Sequence, residues 1–187
     1  MSGRPQAAHV RVIVVLEAGA EAEFVEESLG GGPVPFWTNS LVQVVLGEDA
    51  RLKHYRVARE HAEGRRTTAL LVTAGRAARY ESHVFNLGGA FVREDLRLTI
   101  AGEGADCALN GLSLLHGSEI ADHHTVVSHE AVGGTTRELY KAVLDERSRF
   151  IFDGLIAVRP GAQKTDAVQS NKNLLLSESA QAYTRPR

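Results

Sequence analysis

Short apolar runs recur along the chain at a nearly constant distance. Each run is rich in Val, Ile, Leu and Thr and is followed by Gly, Glu, Asp or Ala, a pattern typical of a β-strand that ends in a turn. The predicted strands cover residues 10–16, 41–46, 68–73, 96–101, 125–128 and 150–158. Helical periodicity is scarce. Residues 137–147 fit a helix, but the spacing of Leu139 and Val143 also suits a strand.

The turns themselves form a repeat, in which an apolar strand, a small or charged turn, an alanine and a second strand follow one another. The shared alanines are Ala20, Ala50, Ala78, Ala105, Ala131 and Ala162. Their spacing of 26 to 31 residues is typical of a solenoid. At ~3.3 Å per residue, such a period holds two strands and two turns. The repeat therefore predicts an all-β, flattened parallel β-helix; an antiparallel sandwich or jelly roll is the alternative, because its turns also recur.

Length and charge narrow the class of protein. The 187 residues fit one domain, and 21 basic against 23 acidic residues leave a net charge of −2, which does not favour a nucleic-acid or membrane-surface protein. The apolar run 10–16 contains Arg11 and is too short to span a bilayer. We therefore expect a cytoplasmic protein with a disordered tail over residues 1–9. The glycine- and proline-rich stretch 30–35 predicts a loop between the first two repeats.

Cysteine and histidine are the candidate metal ligands. Cys107 is the single cysteine, and one thiol cannot hold an iron–sulfur cluster, so we expect a buried structural residue. His123 and His124 point to opposite faces of a strand, and His123 and His129 are separated by about 20 Å along it, so the three cannot share an ion. We expect them to be surface residues and assign no metal or catalytic residue.

Other catalytic patterns are absent from the sequence. Residues 159–165 resemble a phosphate loop only faintly, because the Gly-Lys-Ser/Thr order is missing and no helix is expected to follow. Residues one coil apart stack in a β-helix, so His54 or His83 could still approach other histidines. The alternative function is a metal- or carbohydrate-dependent enzyme on a cupin-like or β-helical fold, which would need ligands or carboxylates that converge on one face.

The second half of the chain carries a family resemblance. The residues concerned are Asp122-His123-His124-Thr125, His129, Val143-Leu144-Asp145, Phe152-Asp153-Gly154, Val158, Ala162-Gln163, Thr165, Gln169, Asn171, Asn173, Leu174-Leu175-Leu176-Ser177, Ala180 and Pro186. In this order they resemble the SufB/SufD family of iron–sulfur cluster assembly proteins, and the Asp-His-His-Thr segment is more similar to SufD than to SufB. The first half fits more loosely, through Phe36-Trp37-Thr38-Asn39 and residues 46–57.

The resemblance implies a fold and a role. It implies a right-handed parallel β-helix over residues 10–187 and a non-enzymatic scaffold subunit that pairs with a SufB-like subunit, or with itself. A SufC-type ATPase would dock on this scaffold, and the cluster would form transiently on the whole complex, with no cofactor held by this chain alone. The family's Cys/His segment and its ATPase-docking helices lie beyond Arg187, so we expect a truncated core, or an inactive fragment, onto which no cluster ligand can be transferred.

Overall fold

The computed structural model describes residues 6–29 and 35–187, and in this part of the chain all regular structure is β-strand. The thirteen strands are β1 Gln6–Leu16, β2 Glu21–Leu29, β3 Phe36–Leu46, β4 Arg51–Arg59, β5 Gly64–Ala74, β6 Arg79–Asn86, β7 Phe91–Ile100, β8 Asp106–Leu115, β9 Ile120–His129, β10 Thr135–Leu144, β11 Arg149–Val158, β12 Asp166–Leu175 and β13 Gln181–Pro186. The six strands predicted from the sequence are confirmed. The region 137–147, for which a helix was an alternative, contains strand β10.

The strands alternate between two parallel sheets. The odd-numbered strands form a seven-stranded sheet in the order β1-β3-β5-β7-β9-β11-β13, and the even-numbered strands form a six-stranded sheet in the order β12-β10-β8-β6-β4-β2. Each strand that is not at the end of a sheet thus pairs in parallel with the strand one coil earlier and the strand one coil later. The predicted parallel β-helix is confirmed, and the antiparallel sandwich is wrong.

The alanine repeat marks a real corner in four of its six positions. The carbonyls of Ala20, Ala50, Ala78 and Ala105 each accept a hydrogen bond from the first residue of the next six-stranded-sheet strand, so these alanines stack. In the following two coils Gly134 and Thr165 occupy that place instead. The prediction is therefore wrong for Ala131 and Ala162, which lie three residues before the corner.

A left-handed residue comes directly before each stacked corner. The residues with positive φ are Gly19, Asp49, Ala77, Gly104, Gly133 and Lys164, with φ between 53° and 71°. Glycine adopts this conformation without a steric cost, whereas a residue with a Cβ atom is strained there. The recurring small turn residues in the sequence follow from this backbone requirement.

The start of the chain differs from the expected tail. Strand β1 begins at Gln6 and pairs with β3 along its whole length, so residues 6–9 are strand and not tail. Residues 1–5 lie outside the described residues, as does most of the glycine-rich loop predicted over 30–35.

Candidate functional site

The space between the two sheets is divided into an apolar half and a polar half. Where strands of the seven-stranded sheet end, buried residues such as Leu46, Val72, Leu98 and Ile100 pack against Leu52 of the other sheet. Toward the opposite corner the inward side chains become polar. We call the following buried or partly buried side chains the interior polar network: Glu26, His54, Arg56, Arg66, Ser82, Asn86, Glu94, Ser113, His123, Thr125, Glu138 and Gln169.

An ion pair between Arg56 and Glu94 lies at the centre of this network. Arg56 on β4 is fully buried, and its guanidinium donates to the Glu94 carboxylate on β7 at 2.7 Å, so the pair joins the two sheets. Arg56 also donates to Ser82 at 3.2 Å. A second guanidinium, that of Arg66, lies 3.9 Å from the other Glu94 oxygen. Burial acts to raise the pKa of Glu94, but the two guanidiniums outweigh it, and the pKa lies below its usual value.

His54 belongs to the same interior. Its ring contacts Glu26 at 2.5 Å and the Tyr80 hydroxyl at 3.0 Å, and it stacks on Phe24 at a centroid distance of 5.1 Å. Burial lowers the pKa of His54 although the Glu26 carboxylate opposes this effect. Burial also raises the pKa of Tyr80 to about 12. The two side chains are therefore held in neutral forms near neutral pH.

His123 is the second buried imidazole. Its Nε2 atom lies 2.6 Å from the Asn86 amide nitrogen and 3.5 Å from the Ser113 hydroxyl on the facing sheet. The ring also packs against Tyr140 and Phe150, with centroids 5.3 Å and 5.6 Å apart. Burial is the largest effect on the pKa of His123 and lowers it. This imidazole is thus a neutral hydrogen-bonding group that connects the sheets.

A buried carboxyl group continues the network into the last coils. Glu138 accepts hydrogen bonds from Thr125 at 3.2 Å and from the Gln169 amide at 2.6 Å. Burial raises its pKa in spite of these two donors. Gly154 leaves the room for this contact, because a Cβ atom at that position would lie 2.1 Å from the Gln169 amide nitrogen. A side chain at Gly154 would therefore displace the Gln169 amide from Glu138.

The three candidate histidines are not brought together. His123 and His124 point to opposite faces as predicted, since His123 is 2% exposed while His124 lies on the outer face beside Asp122 at 2.9 Å. His129 is buried and bonds to the Thr136 hydroxyl at 3.0 Å. The expectation of surface residues is thus wrong for His123 and His129, because both occupy inward positions of β9.

The structure also places the other residues that the sequence offered as candidate ligands or loops. His54 points inward whereas His83 lies on the outer face and stacks on Tyr55 at 5.0 Å, so the two do not meet. Cys107 is fully buried among apolar side chains, as expected, and burial raises its thiol pKa to about 12. In residues 6–29 and 35–187 no three His, Cys, Asp or Glu side chains are arranged to hold a metal ion. Residues 159–165 form a turn that leads into β12 and not into a helix.

Sequence reasoning missed Arg56, Glu94, Asn86 and Glu138. Strand alternation contained a signal for two of them, because Arg56 lies between Leu52 and Ala58 on one face. In the same way Glu94 shares a face with apolar residues of β7. Charged residues at such positions are rarely buried unless they are paired, and the sequence does not show the partner.

The comparisons with known proteins assign the family. The family model described as "SUF system FeS cluster assembly, SufBD core domain" matches residues 1–187. The chain belongs to the SufBD core family. The family match agrees with the resemblance found in the Asp-His-His-Thr segment and with the parallel β-helix.

Relatives with curated names agree with this family. The chain is 29% identical over 185 residues to the iron–sulfur cluster assembly SufBD family protein slr0076 of Synechocystis, with 94% of this chain and 41% of that protein covered. It is 29% identical over 179 residues to SufD of Escherichia coli, with 96% and 42% covered. It is 28% identical over 187 residues to the chloroplastic protein ABCI7 of Arabidopsis thaliana, with 99% and 39% covered. The chain thus spans less than half the length of these relatives. No helix able to cross a membrane occurs among the described residues.

Proposed function

We propose that this chain is the β-helical core of a SufD-like scaffold subunit in iron–sulfur cluster assembly. The observation that carries the proposal is the match to the SufBD core model over residues 1–187, together with the similarity to SufD of Escherichia coli over 96% of the chain. The Asp122-His123-His124-Thr125 segment, which resembles SufD more than SufB, favours the SufD branch.

In this proposal the chain acts as a rigid spacer and binding platform and not as an enzyme. The two sheets are joined through the interior polar network as well as through apolar packing, which fixes their relative register. A SufB-like subunit is the proposed partner, and a SufC-type ATPase supplies the nucleotide chemistry through regions that other members of the family place outside the core. The cluster is the cargo of the whole complex, and a cytoplasmic location is part of the proposal.

The potential cluster ligands of this chain support the proposal that the cluster is held elsewhere in the complex. Cys107 is the single thiol of the chain, and its burial and raised pKa make it a poor nucleophile and a poor metal ligand. An iron–sulfur cluster needs several thiolate or imidazole ligands. The proposal therefore assigns the cluster ligands to the partner or to other parts of the subunit.

A chimera tests the proposal. The 179 matched residues of Escherichia coli SufD are replaced by this chain, and the chimeric gene is expressed in a strain that depends on its SUF system and lacks SufD. The expected result is restored growth and restored activity of an iron–sulfur enzyme.

The matched control carries the same chimera with Glu94→Gln, which disrupts the core. A folded chimera that accumulates normally and still fails to restore enzyme activity would contradict the proposal. A chimera that restores activity without SufC would contradict the assignment of the ATPase as partner.

A further inference from the structure

An apolar groove runs along the outer face of the six-stranded sheet. Its floor runs from Asn110 to His116, through the end of strand β8 and the residue after it, and the ends of β6 and β10 with the residues that follow them form its walls. Two adjoining cavities, of about 180 Å³ and 330 Å³, occupy it. The apolar side chains that line it are Phe85, Leu87, Leu112, Leu114, Leu139 and Val143. We call this feature the β8 groove.

The groove continues an exposed aliphatic row across neighbouring coils. Leu114 pairs in register with Val143, and Val143 pairs with Leu174 of β12. Leu114 is 43% exposed and Leu174 is 57% exposed, so large apolar side chains face solvent side by side. A contiguous apolar surface of this kind marks an interaction site more often than single exposed residues do.

The backbone under the groove decides which shape of ligand fits. Strand β8 is paired with β10 over its length and with β6 from Asp106 to Ser113, so at most its last two residues could accept another strand. An extended segment lying on this surface would leave its own backbone groups without partners, whereas a helix satisfies them internally. The floor from Asn110 to His116 is about 20 Å long at ~3.3 Å per residue, which a helix of roughly 13 residues covers.

Charge on the groove wall indicates the polarity of the ligand. Lys141 lines the first cavity and pairs in register with Lys172 of β12, and both are exposed, whereas the one acidic lining residue, Asp145, lies at the other end of the groove. Like charges directly opposite one another destabilise a sheet. No carboxylate of the described residues lies within 4.0 Å of either ammonium group. An acidic side chain from outside would relieve this repulsion and give the apolar groove an electrostatic preference.

We propose that the β8 groove is a docking surface for an amphipathic helix of a partner protein, with acidic residues beside its apolar stripe. Leucine-type side chains at helical i, i+3 and i+7 positions would enter the two cavities, and a glutamate or aspartate would pair with Lys141 and Lys172. A second copy of this chain fits less well, because it would bring the same two lysines to the contact. The proposal does not depend on which branch of the family the chain belongs to.

Two synthetic helices test the proposal. One is a fluorescent 14-residue peptide with leucines at three- and four-residue spacing and glutamates beside them; the other has lysine in place of every glutamate. Fluorescence anisotropy with the 187-residue chain is expected to show at least tenfold tighter binding of the acidic peptide. Leu114→Ser should weaken that binding at least tenfold. Lys141→Glu combined with Lys172→Glu should reverse the preference between the two peptides.

Val25→Ser is the matched control, because Val25 is a 64% exposed apolar residue on β2 of the same sheet, away from the groove. Thermal unfolding of each variant shows that it is folded. Equal binding of both peptides, or binding that Leu114→Ser leaves unchanged, would overturn the proposal. So would dimerisation that Leu114→Ser abolishes, since the occupant would then be a second copy. Lysine-dependent binding to phosphatidylserine vesicles without acidic-peptide binding would assign the groove to a membrane surface and would also overturn it.

Discussion

Glu94→Gln is the substitution that most directly probes the polar interior. It leaves the fully buried guanidinium of Arg56 without its carboxylate, and the second guanidinium, that of Arg66, loses the same counter-charge. The side chain keeps its shape, so the effect reports on charge and not on a cavity. The stability of the folded chain should fall sharply, because a desolvated cation without a partner is costly.

The structure sets the magnitude. At 2.7 Å and an effective dielectric constant of about 20, the gross attraction between Arg56 and Glu94 is roughly 6 kcal/mol. Desolvation offsets part of this attraction, and removal of one partner from a buried pair typically costs about 3–5 kcal/mol. For a chain of this size, where 1 kcal/mol corresponds to roughly 2–4 °C, the loss lowers the midpoint of thermal unfolding by about 6–20 °C.

Urea unfolding followed by circular dichroism measures the effect, and Arg56→Met/Glu94→Leu is the informative second variant. Removing Arg56 together with Glu94 leaves Arg66 as the one remaining guanidinium without that carboxylate, so the double variant should recover about half of the lost free energy of unfolding, since hydrophobic replacement of a buried pair is often close to neutral. Lys53→Met is the control, because its contact with Glu23 is exposed and its loss should leave the free energy of unfolding nearly unchanged. A Glu94→Gln variant that loses less than about 1 kcal/mol, or a double variant as unstable as the single one, would show that the charge of Glu94 does not stabilise the folded chain through Arg56.

Three further predictions concern protonation, turn geometry and the thiol. Burial lowers the pKa of His123, so the unfolded chain binds a proton at this imidazole at higher pH than the folded chain does. The free energy of unfolding should therefore fall by up to about 1.4 kcal/mol per pH unit below roughly pH 6.5. Urea melts of the His123→Asn variant should show a shallower dependence of stability on pH. Ala77 and Gly104 occupy the same left-handed turn position in adjacent coils. Ala77→Gly should raise the free energy of unfolding by about 1 kcal/mol and Gly104→Ala should lower it by about the same amount, as measured by thermal melts. Opposite signs would be inconsistent with the turn geometry. Cys107 should react with a thiol reagent only in denaturant. After incubation with iron and sulfide, the chain should hold no stoichiometric iron. Bound iron that is lost in the Cys107→Ser variant would contradict the second expectation.

The sequence revealed one sheet better than the other. All six predicted strands belong to the seven-stranded sheet, whose apolar half contains Val and Leu at inward positions. Strands of the six-stranded sheet have His54, Arg56 and Glu138 at inward positions, so their alternation does not resemble that of a buried strand. This is why the region around β10 fitted a helix as well as a strand. The inward polar residues therefore made the strands of the six-stranded sheet difficult to predict from the sequence.

The alanine register failed where the corner residue changed. Gly134 and Thr165 take the place of alanine in the fifth and sixth coils, and both are small enough for the same tight corner. Ala131 and Ala162 lie close to these positions and keep nearly the same spacing, so the corner predicted from the alanine repeat is three residues too early in both coils. Small size, and not alanine itself, is what the stacked turn requires.

The interior polar network could not be derived from spacing. Arg56 and Glu94 are 38 residues apart and lie on facing sheets, so their contact depends on the register of both sheets and on the length of each turn. The 37-residue separation of Asn86 and His123 has the same origin. A period that varies from coil to coil does not determine which inward residues face each other across the interior.

The proposed role, the core of a SufD-like scaffold subunit, requires that this chain enter a complex with the other Suf subunits. Native mass spectrometry of the SufD chimera, co-expressed with SufB and SufC, tests it most directly, because it reports which subunits are bound and in what ratio. If the proposal is right, one complex contains the chimera together with both SufB and SufC. A folded chimera that appears only by itself, while unmodified SufD forms the complex under the same conditions, would contradict the proposed SufD-like role.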